Sequence, residues 1–192
     1  MITNEKYHDL KLLYKILDKS PKGLESLRNK FISHISKLVD DVKLSHGAVL
    51  QRSNSVSNLV ELANSSDHSP NAIKWVQAIL LLQCKVDLIL NCFNNDISFV
   101  KHHTSSFSAG LNDMSKFPEF LSVYIDSVLR RNDKNISDGE IESILDKVIV
   151  LFRFISEKDV FERYYKLHLS KRLLNGKSSE DFERSLISRL KV

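Results

Sequence analysis

The chain has 192 residues, of which 42% are hydrophobic and 27% are charged, and its formal net charge is +4. This composition is typical of a soluble globular protein, and so mild a positive charge is not that of a dedicated nucleic-acid-binding protein. The longest apolar runs, residues 78–82 and 148–152, fall far short of the roughly 20 residues that a membrane span needs. We therefore expect no membrane association.

Five glycines and three prolines divide the chain into segments in which apolar residues recur at helical spacing. In chain order, the expected breaks fall at Pro21 and Gly23, at Gly47, at Pro70, between Gly110 and Pro118, near Gly139, and at Gly176. No segment alternates apolar and polar residues as a strand would. The pattern predicts an all-α chain of about seven or eight helices.

Local patterns refine the ends of two helices and suggest one loop. Ser137 and Glu140 match a capping box, in which a hydroxyl and a carboxylate three residues apart satisfy backbone donors at a helix start. "NGK" at residues 175–177 is typical of a helix C-terminus. Residues 53–69 are rich in serine and asparagine, and we interpret them as a mobile loop.

The residue types that could carry catalysis or bind a metal lack the required spacing. No pair of histidines is placed to put two ligands on one helix face, and no nucleophile motif, glycine-rich phosphate loop or paired-carboxylate motif occurs. We therefore predict no catalytic, cofactor-binding or metal-binding residues and no cofactor. Cys84 and Cys92 lie eight residues apart on one predicted helix, which indicates free thiols in a reducing compartment, and thus the cytoplasm or nucleus.

Residues 160–174, "VFERYYKLHLSKRLL", are rich in both basic and apolar side chains. They could therefore form either a nucleic-acid-binding helix or a buried one. On a helical wheel the basic residues scatter around the helix, whereas a nucleic-acid-binding helix carries them on one stripe. The apolar residues cover an arc far wider than one face, which predicts neighbours on at least two sides. Lys171 and Arg172 fall within this arc, so they must extend to solvent or find carboxylates. We interpret the segment as a buried junction.

The same stretch carries a family resemblance. "EKDVFERYYKLHLSKRLL" at residues 157–174, followed by "SLISRLK" at 185–191, resembles the signature segment of the cullins, the scaffold proteins of multisubunit ubiquitin ligases. The sequence of residues 161–174 is most similar to that of the cullin subfamily that pairs with BTB-domain adaptors. Further matching segments, in family order, are "YKILDKSPKGLESL" at 14–27, "FNND" at 93–96, "PEFLSVYIDSVL" at 118–129 and "EIESILDKVIVLFRFI" at 140–155.

The resemblance implies a particular division of the chain. Residues 1–157 would form a cullin-type repeat of five helices, the third in the family's stalk, and residues 158–192 would begin a four-helix bundle that is truncated here. In the family, the BTB-type adaptor binds the first repeat and the RING-box protein binds a later α/β region. We therefore expect neither docking region in this chain, nor the lysine that accepts a ubiquitin-like modifier, and we expect a cullin fragment.

The function hypothesis that follows is a non-catalytic scaffold segment of a cullin-RING ubiquitin ligase. Such a segment would contribute to ubiquitin-dependent degradation by holding the substrate adaptor and the catalytic module at a fixed separation. Two alternatives stay open at this point. One is a regulatory helical fragment that competes with a full-length cullin for a partner. The other is a helical nucleic-acid-binding domain, which the scattered basic residues disfavour.

Overall fold

The computed structural model describes residues 6–47, 70–130, 137–176 and 179–191. These residues form eight helices and no strand, which confirms the all-α class. The predicted loop at 53–69 lies outside the described residues. In chain order, helices α1 to α8 are Tyr7–Leu17, Pro21–Gly47, Pro70–Cys92, Ile97–Asn112, Phe117–Leu129, Asp138–Phe154, Lys158–Leu174 and Glu180–Leu190.

The buried apolar side chains of all eight helices form one connected core, which extends from Leu10 in α1 to Leu186 in α8. Trp75 of α3 has no exposed area and packs edge-on against Phe117 and Phe120 of α5, with ring centroids 5.8 and 5.9 Å apart. Aromatic pairs of this geometry each contribute about 1 kcal/mol beyond their buried area. Helix α5 is thereby held in the interior of the fold.

Helices α2 and α4 pack along stripes whose residues are spaced four apart, which is the spacing of a helix ridge. The stripes consist of Leu27, Phe31, Ile35 and Val39 on α2 and of Phe99, His103, Phe107 and Leu111 on α4. A Cβ atom on Gly110 would lie 2.8 Å from Cγ1 of Val39. The predicted connection between Gly110 and Pro118 is confirmed, since α4 ends at Asn112 and α5 begins at Phe117. Gly110 itself lies in the last turns of α4, where its lack of a side chain permits α2 and α4 to approach closely.

The turn between α3 and α4, "FNND" at residues 93–96, places two asparagines in the left-handed region, with φ of 52° at Asn94 and 53° at Asn95. Asp96 then caps α4, since its carboxylate accepts from the Ser98 amide at 2.7 Å. The same carboxylate accepts from the Tyr14 hydroxyl at 3.0 Å. Burial and the neighbouring Asp96 raise the pKa of Tyr14 to about 12, so the hydroxyl stays protonated and ties α1 to this turn.

Replacing Asn94 by valine should destabilise the fold by roughly 1–2 kcal/mol, because a β-branched side chain is strained in the left-handed region. Replacing Asn94 by glycine should be close to neutral. At Asn29, which is exposed within helix α2, the order should reverse, since glycine is a weaker helix former than valine. Urea denaturation of the four variants tests this. A valine variant at Asn94 as stable as the glycine variant would contradict the left-handed turn.

The predicted helix ends are largely confirmed. The Ser137 amide donates to Glu140 Oε2 at 2.9 Å and the Glu140 amide donates to Ser137 Oγ at 3.3 Å, so the capping box is complete. These hydrogen bonds lower the pKa of Glu140. Gly176, with φ of 60°, follows the end of α7. In the parts of the chain described, no helix combines the length and apolar character needed to cross a membrane.

Candidate functional site: an ionic junction of helices α5, α7 and α8

Helix α5 carries two buried polar residues in an otherwise apolar interior. Ten of its thirteen residues are buried, and Ser122 and Asp126 have no exposed area. Residues four apart lie on the same face of a helix, so these two form a short polar stripe within the core. A buried hydroxyl or carboxylate is costly unless it is hydrogen-bonded or paired, and the stripe therefore requires partners from a neighbouring helix.

Helix α7 supplies those partners with the same spacing. Ser122 Oγ lies 2.8 Å from Nδ1 of His168, and Arg172 Nη1 donates to Asp126 Oδ1 at 2.6 Å. Both pairs are separated by 46 residues in sequence, which means that α5 and α7 run parallel. Sliding one helix past the other by a turn would break both pairs. The polar stripe therefore fixes the register of α7 on α5.

Helix α8 completes the arrangement through Glu183, which is 3% exposed. Its carboxylate accepts from Arg172 Nε at 2.7 Å and Nη2 at 3.1 Å, and from the Tyr165 hydroxyl at 2.9 Å. On the far side of the cluster, Arg130 Nη2 lies 2.9 Å from Asp126 Oδ2. Two guanidinium groups thus face two carboxylates. We call these five residues, Asp126, Arg130, Tyr165, Arg172 and Glu183, the ionic junction.

Burial and neighbouring charges shift the pKa values of two members of the ionic junction, Arg172 and Tyr165. Burial alone would lower the pKa of Arg172, but the hydrogen bonds and charges of Glu183 and Asp126 raise it above its ordinary value. Burial raises the pKa of Tyr165, and the charge of Glu183 raises it further. Arg172 therefore stays charged and Tyr165 stays protonated throughout the physiological range. Groups that do not titrate near neutral pH are poorly suited to acid–base catalysis.

The Ser122–His168 contact has the geometry of a nucleophile and its base, but it lies inside the helix packing. Ser122 has no exposed area and His168 is 5% exposed, so a substrate cannot reach the hydroxyl. The Ser122–His168 contact and the ionic junction together align the helices α5, α7 and α8. Within the described ranges, no three histidine, cysteine or acidic side chains are grouped as metal ligands would be.

A second, more exposed contact holds α8 against α6. Arg189 Nη1 donates to Asp146 Oδ1 at 2.5 Å, and Arg189 Nη2 pairs with the carboxylate of Glu142. The Arg189 side chain is 33% exposed, so solvent screens this pair and it contributes less than a buried one. Leu186, between Glu183 and Arg189 in sequence, has no exposed area. Helix α8 is therefore held by Leu186, by three partly buried apolar residues that pack against the core (Phe182, Ile187 and Leu190), and by the two ionic contacts.

The prediction for α7 is confirmed in part. Arg172 does find carboxylates, one on α5 and one on α8. Among the residues that the structure describes, the predicted contacts on two sides are not seen, because the buried residues of α7 (Phe161, Tyr165, His168 and Arg172) lie on one face of the helix. The buried face is narrower than predicted, because Leu173 and Leu174 are 55% and 87% exposed. On the outer face, Arg163 and Lys166 pair with carboxylates four residues earlier on the same helix. These basic residues neutralise neighbouring acids instead of forming a stripe.

Sequence reasoning missed most members of the site. It singled out Arg172, but not Ser122, Asp126, His168 or Glu183, which are the groups that Arg172 and its helix contact. One signal was present in the sequence: Ser122 and Asp126 are four apart in the most apolar of the predicted helices. Polar residues at i and i+4 on a helix with no polar face indicate a buried polar stripe.

Comparison with known proteins agrees with this architecture. The family model described as the cullin alpha solenoid domain matches residues 1–192. Cullin-3A of Arabidopsis thaliana is 38% identical over 194 residues, Cullin-3 of Dictyostelium discoideum is 34% identical over 194, and Cullin-3 of Schizosaccharomyces pombe is 33% identical over 196. All of this chain is covered in each case, against 24%, 23% and 24% of the relatives.

The chain thus spans about a quarter of the length of the curated relatives that it matches. The similarity extends over the whole of it, including α5, α7 and α8, the helices that form the ionic junction. A helical chain that matches the family model from end to end, and cullin-3 proteins of a plant, an amoeba and a yeast at this identity, belongs to the cullin family and is close to its cullin-3 members.

Proposed function

We propose that this chain is a non-catalytic scaffold segment of a cullin-RING ubiquitin ligase and that it acts by spacing. The observation that carries the proposal is the 33–38% identity to cullin-3 proteins along the full chain. The geometry supports it, since a spacer must resist bending and the buried pairs Ser122–His168 and Asp126–Arg172 hold the parallel helices α5 and α7 in one register. The segment would hold a substrate adaptor and the catalytic module at a fixed separation.

The proposed division of labour follows the family pattern. Residues 1–157 are the third helical repeat, and residues 158–192 begin the four-helix bundle that leads to the catalytic module. Helix α7 starts at Lys158 and lies along α5 of the repeat, through Arg172 and Asp126. A rotation of the repeat would therefore be transmitted to α7 without loss, which is the mechanical property that a spacer requires.

The partners of the assembled ligase are a BTB-type adaptor and a RING-box protein, and both dock on other segments of the cullin. We assign no catalytic, cofactor-binding, metal-binding or modifier-acceptor residue to this chain, and neither nucleic acid nor membrane as a partner. The thiols of Cys84 and Cys92 are free, which supports action in a reducing compartment, the cytoplasm or the nucleus.

A chimera tests the proposal. The segment of the S. pombe Cullin-3 that aligns with this chain should be replaced by residues 1–192, and the product assayed for adaptor binding, RING-box binding and ubiquitin transfer. We expect all three activities to be retained, because the segment preserves the spacing. The same chimera carrying Arg172→Met should bind both partners but transfer ubiquitin more slowly, whereas Arg163→Met on the exposed face should have no effect.

Two outcomes would contradict the spacing role. One is a folded chimera that binds both partners and transfers no ubiquitin. The other is an Arg172→Met chimera with loosened helix packing and undiminished transfer. The 192 residues alone should capture neither the adaptor nor the RING-box protein in a pull-down with a full-length cullin as the positive control. Retention of the RING-box protein by this chain would favour the alternative of a regulatory fragment that competes with a full-length cullin.

A further inference from the structure

The connection between α6 and α7 is only three residues long, and its own side chains do not cap it. Helix α6 ends at Phe154, and Ile155, which follows, is 3% exposed. Helix α7 starts at Lys158 with no side-chain hydrogen bond from its N-cap residue, Glu157. Backbone groups at helix ends need partners from elsewhere when their own helix supplies none. The backbone groups at this turn therefore need hydrogen-bond partners from another helix.

The partner is an amide from α4, more than forty residues earlier in the sequence. Asn112 Nδ2 donates to the Phe154 carbonyl at 2.7 Å, and Asn112 Oδ1 accepts from the Ser156 amide at 2.9 Å. Ser108 Oγ donates to the same Phe154 carbonyl at 3.3 Å. Asn112 Nδ2 also donates to the Ser108 carbonyl at 2.8 Å, which holds the amide in place. One side chain therefore bridges the backbone on both sides of Ile155.

We infer that Asn112 is a positioning residue that sets the direction in which α7 leaves α6. This position needs a donor for the Phe154 carbonyl and an acceptor for the Ser156 N–H on one rigid group, and the amide group of asparagine offers both. The inference deepens the proposed spacing function, on which its significance rests, because it names the contact that fixes the first turn of the helix leading away from the repeat.

Two separated contacts explain why this turn matters. The ionic junction holds α7 near its C-terminal end at Arg172, and Asn112 holds the chain at Ser156. From the start of α7 at Lys158 to Arg172, the rise of an α-helix spans roughly 21 Å. A helix held at one end can pivot about that point, whereas a helix held at both ends has a defined axis. Between these points the Ser122–His168 contact and the buried Phe161 also hold α7, and Asn112 adds a fixed position for the backbone that leads into its first turn.

Amide hydrogen exchange followed by NMR tests the contact on the unmodified chain. The Ser156 side chain is exposed, so an unbonded amide there would exchange as fast as in an unstructured peptide. We expect protection instead. In Asn112→Ala, exchange at Ser156 should accelerate about tenfold, as for the loss of one ordinary hydrogen bond, while Asn29→Ala on the exposed face of α2 should leave it unchanged.

Residual dipolar couplings, measured below the onset of unfolding, separate positioning from mere stabilisation. In Asn112→Ala, the couplings of α7 should change relative to those of α2 and α4, whereas a purely stabilising role would lower the melting temperature and leave them unchanged. Asn112→Asp retains the acceptor but not the donor, so Ser156 should stay protected while the α7 couplings still change. It also serves as the test if the alanine variant does not fold.

An unprotected Ser156 amide in the unmodified chain would overturn the inference, and so would α7 couplings that are the same in Asn112→Ala and the unmodified chain. Neither readout depends on ubiquitin transfer. Failure of this inference is therefore distinguishable from failure of the spacing function, which is measured in the chimera.

Discussion

Replacing Arg172 by methionine should lower the free energy of unfolding by about 3–5 kcal/mol, because two buried carboxylates lose the guanidinium group that pairs with both of them. The carboxylates concerned are Asp126 and Glu183, which are 0% and 3% exposed. A loss of this size is a large fraction of the roughly 5–15 kcal/mol by which domains are stable. Urea denaturation followed by circular dichroism, at pH 7 and constant ionic strength, measures it.

A matched control is available on the same helix. Arg163 also pairs with a carboxylate, Asp159, but their side chains are 73% and 80% exposed and the atoms are 3.9 Å apart. Arg163→Met should therefore change stability by less than about 0.5 kcal/mol. Combining Arg172→Met with Asp126→Leu and Glu183→Leu should recover much of the loss, since an apolar cluster can replace a buried ionic one. Equal effects of the two arginine substitutions would contradict burial of the ionic junction.

Lowering the pH from 7 to 4 should destabilise the chain through His103, by roughly 3 kcal/mol from this group. His103 is 3% exposed, and its ring lies 5.1 Å from that of Phe107 and 6.4 Å from that of Phe154. Within the described chain, neither ring nitrogen has a hydrogen-bond partner. Burial consequently lowers the pKa of His103 to about 4, since the apolar site disfavours the charged form.

The direction of the effect follows from proton binding. The unfolded chain protonates this histidine below about pH 6.5, whereas the folded chain does so only below about 4. Between these values the unfolded state binds more protons, so the stabilisation is complete above pH 6.5 and is lost as the pH falls towards 4. His103→Leu should remove this pH dependence and raise stability at pH 7, because an unsatisfied buried polar group is replaced by an apolar one.

The adjacent histidine provides the control. His102 is exposed on the same helix, so His102→Leu should not raise stability at pH 7 as His103→Leu does, because it removes no buried polar group. Other groups contribute to the total slope, since burial also lowers the pKa of His34 and raises that of Glu119. The difference between His103→Leu and the unmodified chain isolates the one residue. Parallel stability curves for these two proteins between pH 4 and 7 would show that His103 is not buried as a neutral group.

Helices and their ends could be predicted because they depend on residues a few positions apart. Apolar periodicity reports the face of a helix, and the capping box joins residues three apart, Ser137 and Glu140. The connection between Gly110 and Pro118 could be predicted in the same way, whereas the close packing of Gly110 against Val39 could not, because Val39 is a neighbour in space and not in sequence.

The site could be predicted only in part. That Arg172 needs carboxylates follows from its place on the apolar side of the helix. The identity of those carboxylates cannot be predicted from the sequence, since Asp126 is 46 residues away and the register of α5 on α7 decides the pairing. The capping of α6 by Asn112, 42 residues earlier, gives no local signal at all. Contacts that are set by tertiary packing lie beyond periodicity and motif spacing.

The parallel register of α5 and α7 has a consequence for how this segment can change during evolution. Two of its pairs form at a constant offset, Ser122 with His168 and Asp126 with Arg172, so a substitution at one position removes the partner of a buried polar group on the other helix. Genetic recombination between two homologues that differ at these sites, with a crossover anywhere between α5 and α7, would join halves that do not match. These positions should therefore be inherited as a block, and ancestral substitutions among them should have arisen together or through an apolar intermediate.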